Sequence, residues 1–176
     1  AVPLLVGLGF AWRMLSPQGG APDVARETKP AVVALSPAQE LVAKARTILD
    51  QGDELNRETY VLAEELLIKA EQLDVSEPSA WILHAQVSSA LIGYGLDDTT
   101  TRREALRAQA NRAVQLAPAS LDAQLAECDA LIAFGQNIPA IVERLQGLAA
   151  QHPENWRVFD LLCEGLRIEG KSTEAL

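Results

Sequence analysis

The sequence has few of the residues that mark a metalloprotein, a disulfide-rich extracellular domain or a nucleic-acid-binding protein. It contains 2 cysteines and 2 histidines in 176 residues, without the C-x-x-C or Cys/His spacing of a zinc site. Two cysteines are too few for a disulfide-dense domain. Asp and Glu number 24 against 15 Lys and Arg, a formal net charge of −9, so no basic face is available for phosphates. We therefore predict no metal, no other cofactor and no nucleic-acid partner.

Catalytic motifs are also missing from the sequence. Neither G-x-S-x-G nor H-E-x-x-H occurs, and a single histidine does not act as a catalytic base without a nucleophile or an acid beside it. His84 is instead expected to be a hydrogen-bonded residue in the core or at its boundary. The prediction is a protein without catalytic residues, and not an enzyme.

The chain begins with a short apolar stretch that contains no charge before Arg13. A membrane-spanning helix needs about 20 apolar residues, so residues 1–12 could be the distal end of such a helix, the core of a signal peptide or a short buried segment. The start without Met and the Trp12–Arg13 pair, which is typical of a membrane interface, favour the first of these. We predict a membrane-proximal segment over 1–15 of a single-pass membrane protein. The side of the membrane stays open, with an extracytoplasmic or periplasmic location favoured.

Residues 16–35 contain several Pro and Gly residues and no apolar periodicity, so they are predicted to form a linker. From residue 36 onward the apolar residues recur at helical spacing, and no strand-like alternation is convincing. The first helix has a clear start signal, because Ser36 is followed by Pro37 and Gln39. The sequence therefore predicts an all-α domain over 36–176.

Three segments of this domain share one pattern. "KAEQLDVSEPSAW" (69–81), "RAVQLAPASLDA" (112–123) and "GLAAQHPENWRVF" (147–159) each end one helix, turn at a Pro-containing corner and enter the next helix. They resemble the tetratricopeptide repeat (TPR), a helix–turn–helix unit of 34 residues. The resemblance covers about four fifths of the chain and implies an α-α superhelix, a solenoid of antiparallel helix hairpins with about 3.5 units.

The fit to the repeat is good but not uniform. Cys128 and Cys163 both fall at a position that requires a small buried side chain, whereas Arg144 stands where an apolar residue belongs. The second unit has a longer turn, "GYGLDDTTT", which precedes a predicted capping box at Thr101 and Glu104. The fourth unit breaks off within its second helix, so we expect the natural chain to continue.

In TPR arrays the first helix of each hairpin lines a concave surface. When the groove positions of the repeat are transferred to this sequence, the resemblance implies a mixed apolar and acidic groove for an extended or helical peptide. The candidate groove residues are Arg46, Gln86, Asp122, Asp129, Arg157, Asp160, Glu164 and Arg167. The alternative is that these side chains form only the solvated face of amphipathic helices.

The predicted function is therefore a non-catalytic interaction module that is tethered to a membrane and holds a protein or peptide partner. The linker and first helices also resemble the C-terminal halves of certain bacterial membrane regulators. In those proteins a kinase or DNA-binding domain precedes one membrane span and a TPR array. This second resemblance implies the alternative function, a sensory or scaffolding tail of a larger signalling protein (kinase, cyclase-like or transcriptional regulator).

One motif of the sequence is typical of a different function, nucleotide binding. "GLRIEGKS" at Gly165–Ser172 matches the phosphate-loop pattern G-x-x-x-x-G-K-[ST]. A phosphate loop follows a β-strand, but the apolar residues before this motif are at helical spacing. Gly170 is instead expected to be a turn glycine with positive φ, while Gly165 either allows a close helix approach or costs about 1 kcal/mol of helix stability. We predict no nucleotide binding.

Overall fold

A computed structural model describes residues 34–51 and 56–170. All of these residues lie in the second of two compact units, Ala34–Leu176. The predicted segment 1–15, nearly all of the linker, and Lys171 and Ser172 lie outside the described residues. Within the described ranges every regular element is a helix and none is a strand, which confirms the all-α prediction. The helices are α1 Pro37–Gln51, α2 Arg57–Leu73, α3 Pro78–Gly93, α4 Thr100–Leu116, α5 Leu121–Ala133, α6 Ile138–Gln151 and α7 Trp156–Ile168.

The helix starts follow local hydrogen-bonding signals. Ser36 and Gln39 form the predicted reciprocal cap: the Ser36 N–H donates to Gln39 Oε1 at 3.1 Å, and the Gln39 N–H donates to Ser36 Oγ at 3.2 Å. The capping box predicted at Thr101 is wrong by two residues. Thr99 caps α4, because its Oγ1 accepts from the Arg102 N–H at 3.2 Å while Asp97 accepts from the Thr99 hydroxyl.

The turns after α3, α5 and α7 each contain a glycine with positive φ. The φ angles are 67° at Gly95, 63° at Gly135 and 77° at Gly170. A side chain would be strained in this left-handed conformation. The assignment of Gly170 as a turn glycine is therefore confirmed.

Helix packing follows a regular order. Each helix packs against the next one along the chain, and α1 also contacts α3, α3 contacts α5 and α5 contacts α7. Within the described part of the chain, the even-numbered helices do not contact one another. The odd-numbered helices therefore form a continuous row. Many of the buried residues are alanines, whose small side chains let helix backbones approach closely.

The two cysteines differ in burial. Cys128 is buried against α6, as predicted, but Cys163 is exposed, so its assignment to the core is wrong for the described residues. Cys163 shares one face of α7 with the exposed rings of Trp156 and Phe159. In α5 the matching face is covered by the helix that follows it. The residues that follow Gly170 lie outside the described ranges.

Gly165 is buried where α7 meets α6. A Cβ atom added at Gly165 would lie 2.9 Å from Val142 Cγ2, which is closer than real Cβ contacts. Of the two interpretations of this glycine, the close helix approach is the one that the structure supports. Arg144, which departs from the predicted repeat pattern, forms an ion pair with Glu127 at 2.7 Å.

Candidate binding groove

A concave surface runs along the row of odd-numbered helices. It consists of two adjoining depressions, of about 690 Å³ and about 860 Å³, which share residues at their junction. We call this surface the groove. The candidate residues all line it: Arg46, Gln86, Asp122 and Arg157 lie in the smaller depression, Glu164 and Arg167 in the larger one, and Asp129 and Asp160 in both. The structure therefore brings these side chains together, and binding of a ligand to them stays a prediction.

Two aromatic residues of the groove were not among the predicted residues. The side chains of Trp156 and Tyr94 line the smaller depression and are 72% and 66% exposed. Tyr94 also stacks on the buried ring of Tyr60, with the ring centroids 6.2 Å apart. The sequence offered one signal for Tyr94, since an aromatic residue flanked by two glycines at the end of a helix has no apolar helix face to occupy. Exposed aromatic rings on a concave surface are typical of binding sites.

Most basic side chains of the groove are already engaged by the protein itself. Arg167 donates to both carboxylate oxygens of Glu164, at 2.8 and 2.6 Å, and this pairing lowers the pKa of Glu164. The Arg157 guanidinium lies 3.6 Å from Asp122. Arg103, which lines the larger depression, pairs with Asp98 at 2.6 Å. These contacts leave little uncompensated positive charge along the surface.

The junction of the two depressions is different. Asp129 is half-buried there, and burial raises the pKa of its carboxyl above the ordinary value. A hydrogen bond from Ser89 and the charge of Arg157 act in the opposite direction, whereas the charges of Asp160 and Glu164 raise the pKa further. Among the described residues, neither Asp129 nor Asp160 forms an ion pair. The groove therefore has two carboxyl groups without an ion pair at its centre, beside exposed aromatic surface.

The structure also bears on the phosphate-loop motif. Gly165 to Ile168 are the last turn of α7, and the residues before them, from Trp156, are helical as well. The strand that a phosphate loop requires is thus not present immediately before this motif. Lys171 and Ser172 lie outside the described residues. Over the described ranges, no group of three or more His, Cys, Asp or Glu side chains could hold a metal ion.

Comparison with known proteins found no matching family model, no matching curated protein and no matching solved structure. In the part of the chain that the structure describes, no helix combines the length and the apolar character that crossing a bilayer requires.

Proposed function

We propose that this chain is a non-catalytic, TPR-type interaction module that holds a segment of a partner protein in the groove. The main support is the placement of the candidate side chains on consecutive odd-numbered helices along one concave surface. In a TPR superhelix the first helix of each hairpin lines the concave side and contacts the first helix of the next hairpin. The contacts of α1 with α3, α3 with α5 and α5 with α7 are compatible with that arrangement.

The charges of the groove favour a partner segment with a basic side chain among apolar ones. A Lys or Arg of the partner would compensate the carboxylates of Asp129 and Asp160 at the junction. Its aliphatic stem, or a neighbouring apolar residue, would then cover Trp156 and Tyr94. Because the groove is built from packed helices, little conformational entropy of the protein itself is lost on binding.

Peptides of defined composition test this function. Fluorescein-labelled peptides that alternate Leu with Lys, or Leu with Glu, are titrated with the full chain and followed by fluorescence anisotropy. We expect the Lys peptide to bind more tightly, and the double variant Asp129→Asn, Asp160→Asn to bind it about tenfold more weakly, which corresponds to about 1.4 kcal/mol.

A matched control lies outside the groove. The double variant Glu65→Gln, Glu143→Gln removes two negative charges from exposed positions on α2 and α6 that lie in neither depression, and it is expected to leave the affinity unchanged. If the control and the groove variant lose the same affinity for the Lys peptide, binding depends only on the net charge of the protein. Equal affinity for the two peptides would contradict the proposed partner chemistry.

The membrane tether belongs to the same proposal and rests on residues 1–15, outside the described part of the chain. Fractionation of cells that express the full chain, or a variant without residues 1–15, tests it separately. We expect the full chain in the membrane fraction and the shortened chain outside it.

A further inference from the structure

A cluster of charged side chains lies away from the groove, between α2, α3 and α4. At its centre is His84 of α3, which is only 5% exposed. Its Nδ1 atom lies 2.7 Å from Glu71 Oε1, and its Nε2 atom lies 3.2 Å from Glu64 Oε1. Both glutamates belong to α2. Each ring nitrogen of this buried histidine therefore faces a carboxylate oxygen.

This arrangement suits only one protonation state of the ring. A neutral imidazole has one N–H group and one lone pair, so one of its nitrogens would point a lone pair at a carboxylate oxygen. The imidazolium form donates from both nitrogens and satisfies both contacts. In a buried site, where electrostatic interactions are stronger than in water, the difference between the two forms is large.

The cluster extends to α4 through Glu64. Arg102 donates through two of its nitrogens to the two carboxylate oxygens of Glu64, and its Nε donates to Asp97 at 3.1 Å. A longer contact of 3.4 Å joins Arg102 to the hydroxyl of Ser88. Arg102 stands at the start of α4 and Asp97 in the turn before it, so the second hairpin, α3–α4, is tied to α2 of the first hairpin.

The charges around His84 come from few elements. Helix α2 supplies Glu64 and Glu71, while α4 supplies Arg102 and the α3–α4 turn supplies Asp97. Within the described ranges, α1 and α5 also pack against α3, but neither contributes a charged group that acts on His84. With the imidazolium present, the cluster contains two cations and three carboxylates. When the ring loses its proton, one cation remains for the same three carboxylates.

We propose that the His84 cluster is a pH-sensitive clamp, in which the imidazolium joins α2 to α3 and holds the first two helical hairpins in one relative orientation. Loss of the proton removes one of the two contacts to α2 and loosens this junction. The groove spans the same junction, because Arg46 and Tyr60 come from the first hairpin and Gln86 from the second. The clamp itself does not depend on what the groove binds.

The pKa values have the directions that this clamp requires. Burial lowers the pKa of His84, but the hydrogen bonds to Glu64 and Glu71 outweigh it, and the pKa lies above the ordinary 6.5. Burial likewise opposes the ionisation of Glu64, yet His84 and Arg102 hold its pKa at about 2, below the ordinary 4.5. A raised histidine pKa stabilises the fold below the unfolded value, and this contribution is lost as the pH rises through the folded value. The clamp is thus closed below about pH 6.5 and opens as the pH rises through the raised pKa of His84.

The direct test is the titration of His84 by NMR in the full chain. The His152→Gln variant assigns the two histidine signals, since it leaves His84 as the remaining histidine. We expect His84 to titrate above its ordinary value. Glu71→Gln should move the His84 titration towards lower pH, because the amide keeps the size of the side chain but removes its charge.

Hydrogen exchange then tests the mechanical consequence. In the wild-type chain the backbone amides of α2 and α3 should exchange faster as the pH rises through the pKa of His84. The exchange rates are first corrected for the intrinsic effect of pH. In α6, remote from the cluster, it should not change. A titration of His84 at or below its ordinary value would overturn the proposal. So would exchange in α2 and α3 that does not follow the titration.

Discussion

At the scale of single residues, Gly165 has a role that its position in the sequence left open. The backbone of α7 approaches α6 so closely that a methyl group at this position would meet the Val142 side chain at 2.9 Å. Val is β-branched and rigid at χ1, so it cannot move aside easily. The glycine therefore allows the contact between the two helices, and its low helix propensity is offset by the packing it permits.

Gly165→Ala is expected to destabilise the protein by about 1 kcal/mol, because overpacking of about 1–3 kcal/mol exceeds the gain in helix propensity. Gly147→Ala is the matched control. Gly147 is also inside a helix, but nothing lies within 4 Å of an added Cβ, so this change should stabilise by up to about 1 kcal/mol. Urea unfolding measures both. A stabilised Gly165→Ala variant would show that the close approach does not constrain the helices.

At the scale of helices and turns, the start of α4 shows how tertiary contacts select between neighbouring caps. Thr99 and Thr101 both offer hydroxyl groups near the end of the long turn, and both precede helical sequence. Thr99 becomes the cap because Asp97 accepts a hydrogen bond from its hydroxyl and another from Arg102, which is anchored on Glu64 of α2. The helix start is thus set by the same cluster that contains His84.

Thr99→Ala should therefore destabilise the protein by about 1 kcal/mol, the usual loss when a cap hydroxyl is removed. Thr101→Ala should be neutral or slightly stabilising, since this residue is exposed in the first turn of the helix and Ala has the higher helix propensity. Thermal unfolding of the two variants gives the comparison. A Thr101→Ala variant that is less stable than the Thr99→Ala variant would show that Thr101, and not Thr99, caps α4.

At the scale of the whole molecule, the groove carries charge that does not favour folding. Asp129 is half-buried without an ion pair among the described residues and lies near two other carboxylates. Its pKa is raised, mainly by burial, so its ionised form destabilises the folded state at neutral pH. A side chain that reduces stability on a concave surface is typical of a binding site.

Asp129→Asn is expected to raise stability at pH 7 by about 0.5–2 kcal/mol, while it weakens binding of the Lys peptide. A raised carboxyl pKa means that the folded state binds the proton more tightly, so wild-type stability rises as the pH falls through that pKa. The advantage of the variant should therefore shrink at acidic pH. Asp122→Asn is the control, because Asp122 is exposed beside Arg157 and should gain nothing. An Asp129→Asn variant that is less stable at pH 7 would mean that the carboxylate is structural.

The sequence by itself determined the features that depend on near neighbours in the chain. Apolar spacing, the cap at Ser36 and the turn glycine Gly170 were all predictable, because helix periodicity, capping and positive φ are local properties. The groove residues could be placed on one face of each helix for the same reason.

Only the tertiary structure decided which faces are covered and which distant groups meet. Cys128 and Cys163 are each the eighth residue of a helix and were predicted to be equivalent, yet one is buried and the other exposed, because burial depends on whether another helix packs on that face. His84 lies 13 and 20 residues from the glutamates that it contacts. Arg102 reaches Glu64 across 38 residues. No periodic pattern indicates such pairs, since they are set by how the hairpins pack and not by the helical repeat of any single element.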